Sequence, residues 1–195
     1  MTREPQPGRA AVRARVAVSI LTVTFVVAAC GDGQIVPARS AAVDSLDYAT
    51  VDRSITDSRT GSTVTINGLV PNFPVPGGLD ISDAVKAFVL VDVTLSTGAD
   101  VAATTGPSDF RLQSAAGDSV QTSPSLDVAL TSATFWPLED LAPGQSQRGW
   151  VAFPLTWDTL DGAVFVMTRP AESTLANGLV LEPEDFQVSL SADPR

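Results

Sequence analysis

The 195-residue sequence predicts an all-β fold, an antiparallel sandwich of about seven strands, and three observations carry that expectation. From Gly61 onward, apolar residues recur at every second position, the period of a strand with one buried face. Clusters of Gly, Pro, Asp and Ser interrupt these runs at short intervals, as the turns of a sandwich require. No stretch keeps apolar residues at helical spacing for three turns.

Two segments precede this domain. Residues 1–15 carry Arg3, Arg9, Arg13 and Arg15 against Glu4, and VAVSILTVTFVVAA, Val16 to Ala29, follows without a charge and ends on two small residues. A basic start, an apolar run and a small-residue end are the three parts of a secretory signal, here residues 1–29. A permanent transmembrane span needs about 20 apolar residues. This run is shorter, is interrupted by Ser19, Thr22 and Thr24, and stops at GDGQ.

Cys30, the only cysteine, has no partner for an internal disulfide, and the flanking GDG offers no apolar setting for a buried thiol. VAAC, Val27 to Cys30, resembles the lipobox of bacterial lipoproteins, with valine where leucine is commonest. That resemblance implies a diacylglyceryl thioether on Cys30 and cleavage just before it, where Ala28 and Ala29 are small enough for the peptidase. The mature chain would then be held by its acyl chains on the outer face of the cytoplasmic membrane of a Gram-positive-type bacterium. Residues 30–60 read as the lipidated cysteine and a flexible tether with a reach of roughly 30 Å. Within it, Tyr48 and Val51 suggest an extra edge strand.

The strands follow in order. TVTINGLV, residues 63–70, alternates through Val64 and Ile66 before Asn67 and Gly68 permit a turn or bulge. VKAFVLVDVTLS, Val85 to Ser96, places Val89, Val91, Val93 and Leu95 on one face and Lys86, Asp92, Thr94 and Ser96 on the other. Phe88 and Leu90 share that second face, which predicts a neighbouring element over the start of the strand. FRLQ and VQTS flank SAAGDS as a hairpin, with Gly117 free to adopt a positive φ. LAPG, Leu141 to Gly144, places proline and glycine as in a type II turn. It leads into GWVAFPLTW, where Val151, Phe153, Leu155 and Trp157 face inward and Trp150 outward, with Pro154 marking an edge or a strand end. GAVFVMT, residues 162–168, and FQVSLS, residues 186–191, complete the set.

From about residue 61 to 191 the chain resembles the telokin-like, immunoglobulin-fold domain of unknown function of the DUF4352 type. That family is common in Gram-positive lipoproteins and is related to a secreted mycobacterial antigen. The resembling residues are the VLVDVTL strand, the DFRLQSAAGDSVQ hairpin and LAPGQSQRGWVAFPL with Gly149 and Phe153. The resemblance implies an immunoglobulin-like sandwich over residues 61–192 and an extracytoplasmic address, and it brings no catalytic residues. Ser96-Thr97 stands where the family often has asparagine, and the tryptophan and cysteine pair of antibody domains is absent.

Charge and residue types narrow the function. Without residues 1–29 the chain holds 8 basic and 21 acidic residues, a net −13, which repels phosphate backbones and predicts no nucleic-acid partner. No histidine is present, which removes the commonest general base and metal ligand. Lys86 points from a regular strand and Arg148 breaks the nucleophile-elbow spacing in GQSQRG, so no hydrolase constellation forms. Glu139-Asp140 and Glu182, Glu184, Asp185 are acids on charged loops, with no calcium-loop spacing. A calcium site would need separate loops, such as Asp80, Asp83 and Asp185. Trp136 in TFWPLEDL and the outward Trp150 are the candidate binding residues, with loop cover as the structural alternative. The expected protein is a lipid-anchored, non-catalytic interaction or accessory module without cofactor or bound metal, meeting an envelope or surface protein. The alternative is a small-ligand or calcium-binding lipoprotein of an envelope transport or sensing system.

Overall fold

A computed structural model describes residues 46–74, 82–170 and 173–191. The expected signal segment, Cys30, the first part of the tether and Asp80 lie outside the described residues. No helix among the described residues is long and apolar enough to cross a membrane.

Eight strands form two four-stranded antiparallel sheets, and a small two-stranded ribbon lies in the chain between two strands of the second sheet. The first sheet runs β1 (Ala49–Asp57), β2 (Ser62–Phe73), β3 (Ala87–Ser96) and β6 (Ser146–Leu155) in that order. The second sheet runs β10 (Glu184–Ser189), β7 (Val164–Arg169), β4 (Phe110–Gln113) and β5 (Ser119–Gln121). The ribbon pairs β8 (Ser173–Thr174) with β9 (Val180–Leu181). Without β1, the orders β2-β3-β6 and β10-β7-β4-β5 reproduce the A-B-E and G-F-C-C′ sheets of an immunoglobulin-type sandwich. All seven predicted strands are therefore present. The eighth, β1, is the extra edge strand that Tyr48 and Val51 suggested within the tether, and it extends the folded chain back to at least Ala49.

Alternation builds the core between the sheets. Val89, Val91, Val93 and Leu95 of β3 face Phe110 and Leu112 of β4 and Phe165 of β7, all fully buried. Burying each such side chain contributes about 1.5–3 kcal/mol. Phe165 packs against Phe110 at 5.1 Å and edge-on to Phe153 at 6.0 Å, filling the space between the sheets. Bulges in β2 fall at Ile66/Gly68 and Val70/Phe73, the first where Asn67 and Gly68 permit one. Gly117 (φ +95) turns the β4–β5 hairpin. The Pro143-Gly144 turn closes with Gln145 N donating to Ala142 O at 3.2 Å, Gly144 taking φ +74. Pro154 sits one residue from the end of β6, an edge strand, where its missing N–H is tolerated.

A second apolar layer covers the outer face of the first sheet. A short helix, α1 (Asp127–Ser132), and the 3-10 turn before it insert Leu126 and Leu130 over Phe88, Leu90 and Trp150. This is the neighbouring element that Phe88 and Leu90 called for.

Candidate functional site

The chain leaving α1 is held at both ends of a four-residue stretch, Phe135 to Leu138. Thr134 takes a left-handed φ of +66 and reverses the chain. Phe135 then enters the second apolar layer, edge-on to Phe73 at 5.6 Å and to Trp150 at 5.1 Å. Leu138 enters the main core. Between these anchors Trp136 O accepts from Trp150 N at 2.8 Å, and Leu138 N donates to Trp150 O at 3.0 Å. The stretch runs as a short parallel bridge along the edge of β6. Trp136 is left 54% exposed on a backbone fixed from both sides. Gly149 permits this close approach, because a Cβ there would lie 2.7 Å from the Leu138 backbone.

Beside Trp136 opens a groove of about 860 Å³. Its apolar lining includes Trp136, Val128, Pro107, Pro124 and Pro137, and its carboxylates are Asp127, Glu139 and Asp140. Gln147 Oε1 accepts from Glu139 N at 3.1 Å and steadies the rim. Behind the rim lies Asp109. Burial pushes its carboxyl up and nearby Asp140 adds to that shift, against the lowering effect of the Gly106 amide that donates to it at 3.0 Å. Burial also raises Asp127.

The second expected binding residue is placed otherwise. Trp150 lies on the outward face of β6, as read, but it is 9% exposed, enclosed by Tyr48 and Phe135. The expectation of an exposed recognition surface there is overturned, because α1 and Phe135 turn that face into the second apolar layer. The signal available was Leu126 and Leu130, four residues apart, the spacing of one helix face. Asp92, expected on a polar face, is buried at 2% exposure under the same layer. Arg148 Nε and Nη2 donate to it at 2.8 and 2.5 Å, Tyr48 OH at 3.1 Å and Asn67 Nδ2 at 3.1 Å.

Other charged groups are engaged in structure. Arg169 lies between the sheets, donating to both Asp57 oxygens at 2.8 Å, to Glu184 at 2.7 Å and to Glu182 O at 2.9 Å. It borders a cavity of about 50 Å³. Of the calcium candidates, Asp185 is held by Arg111 at 2.6 Å and Thr168 at 2.8 Å, and Asp83 is exposed. Among the described residues no three metal-ligating side chains converge. Lys86 pairs with Asp158 at 2.6 Å, both largely exposed.

Residues 49–162 match the family described as "Domain of unknown function (DUF4352)". A crystal structure of a protein designated a candidate lipoprotein, ycdA, of Bacillus subtilis is similar at 14% identity and a TM-score of 0.39. The similarity covers 74% of this chain and 38% of that one, so the chain spans less than two fifths of its length. No curated protein matches the chain significantly.

Proposed function

The chain belongs to the DUF4352 family, and from that premise we propose that it is a lipid-anchored extracytoplasmic protein whose β-sandwich is a non-catalytic protein-interaction module. The groove beside Trp136 is its contact surface. The observation that carries this reading is the exposure of a tryptophan flanked by two anchors, Phe135 and Leu138, sunk in different apolar layers. An incidental surface aromatic folds back onto the protein, whereas this one is preorganised outward, and rigid aromatic anchors concentrate binding energy. The export signal and the VAAC segment support the location, with Cys30 as the anchor. Carboxylates without histidine, engaged in ion pairs or set on an open rim, support a role without chemistry.

A photo-crosslinking residue placed at Val128, 80% exposed in the groove, tests the contact surface in the native membrane. The expected outcome is a discrete adduct from position 128 and none from Asn177, which is exposed at the β8–β9 turn. Equal labelling from both positions, or none from 128, overturns the proposal.

A further inference from the structure

Resting on the reading of the groove as a contact surface, we infer that its occupant is a cationic polypeptide segment, with an arginine or lysine laid over the Trp136 ring and its charge among Asp127, Glu139 and Asp140. Charge complementarity carries the choice. The groove lining contains three carboxylates and no arginine or lysine. Elsewhere the ion pairs among the described residues join Asp57 and Glu184 to Arg169, Asp92 to Arg148, Asp158 to Lys86 and Asp185 to Arg111. Asp127, Glu139 and Asp140 enter none of these pairs.

The domain neutralises its acids where the fold needs them and leaves the groove negative. Asp140 lies close enough to Asp109 to disfavour ionisation of that neighbour, so a cation arriving here relieves repulsion already present. An exposed indole face is the best aromatic platform for a guanidinium or ammonium group. The groove's size, about 860 Å³, is far beyond a single ion. Along its lining the Thr131 and Ser132 hydroxyls, which donate to Asp127 O and Val128 O, keep acceptor lone pairs, and Gln147, whose Oε1 takes Glu139 N, keeps its Nε2 donor, a set suited to a peptide backbone. An acidic segment would meet like charge, and a neutral apolar one would leave the rim unmatched.

The test uses the full chain in mild detergent and three capped pentapeptides: Ser-Arg-Leu-Arg-Ser, its glutamine analogue and its glutamate analogue. The chain has three tryptophans, so its indole N–H signals in a nitrogen-proton NMR spectrum are assigned by replacing each in turn. The arginine peptide is expected to move the Trp136 signal and leave those of Trp150 and Trp157 in place. Raising salt to about 0.5 M should suppress the shift, and Glu139→Gln with Asp140→Asn should weaken binding by about threefold to tenfold. An equal response to the glutamine peptide overturns the cationic occupant while leaving the groove as a contact surface. Binding that survives Trp136→Ala, or no response to any peptide, also overturns it. The crosslinking at Val128 then decides the contact surface separately.

Discussion

Two tryptophans fourteen positions apart separate into different roles, and substitutions distinguish them. Trp136 has a free face, so Trp136→Ala should cost under about 1 kcal/mol of stability while abolishing the Val128 adduct. Trp150 is packed between Tyr48 and Phe135, so Trp150→Ala should cost about 3–5 kcal/mol in urea unfolding. Acid sensitivity is also a residue-scale property. Burial pushes the Asp57 carboxyl up, but the Arg59 amide and the Arg169 guanidinium outweigh it and hold Asp57 below its ordinary 3.8. Arg111 does the same for Asp185. A carboxyl lowered on folding contributes stability above its unfolded pKa and loses it as pH falls through the folded value. The thermal midpoint should therefore fall steeply with pH below about 4, and Asp57→Asn should flatten that fall while lowering the midpoint at neutral pH. An unchanged slope would contradict the role given to Asp57. Asp109 and Asp127, both raised, act in the opposite sense, favouring the fold as pH falls through their folded pKa values toward 3.8.

At the scale of elements, the groove depends on contact between an irregular segment and β6. Gly149 is where they touch, and Gly149→Ala presses a methyl group into the Leu138 backbone. Its φ is unremarkable, so the cost is steric. We expect a loss of about 1–3 kcal/mol and a changed Trp136 indole signal, with the core strands still protected from amide exchange. An unmoved Trp136 signal would mean that Gly149 does not set its position. Strands such as β3 and β6 were legible because inward β-branched, leucine and aromatic residues recur at every second position over several turns of the pleat, even though their second faces are partly apolar. β1 was less so: its nine residues include four polar or charged positions before Ile55, and its bulge at Thr50/Arg53 breaks the period. Helix α1, six residues long, offers with its N-cap only one pair at helical spacing, Leu126 and Leu130, too little to stand out as a helical repeat.

For the molecule as a whole, the placement of one lone cysteine and of the net charge leads to a mass measurement. Protein taken from its own membrane should give a denatured mass equal to residues 30–195 plus a diacylglyceryl group. An intact Met1, or an unmodified Cys30, would remove the anchor from the proposed function. With residues 1–29 removed as proposed, a net charge of −13 would hold the domain off an anionic bilayer and leave the proposed groove accessible.

What the sequence by itself determined is whatever rests on local order: the seven strands of the sandwich and their turns at Gly117 and Gly144. Period-two alternation and turn chemistry act between near neighbours, so they are written along the chain. The tertiary structure alone decided which polar-face residues meet water. Asp92 and Trp150 face outward from their strands and are nonetheless buried, Trp150 because α1 and Phe135 fold back over that face and Asp92 because Tyr48, Asn67 and Arg148 close on it. Trp136 is exposed because anchors on either side sink into two different apolar layers. Exposure at such positions is set by which distant segment covers them, and no local period in the chain encodes that choice.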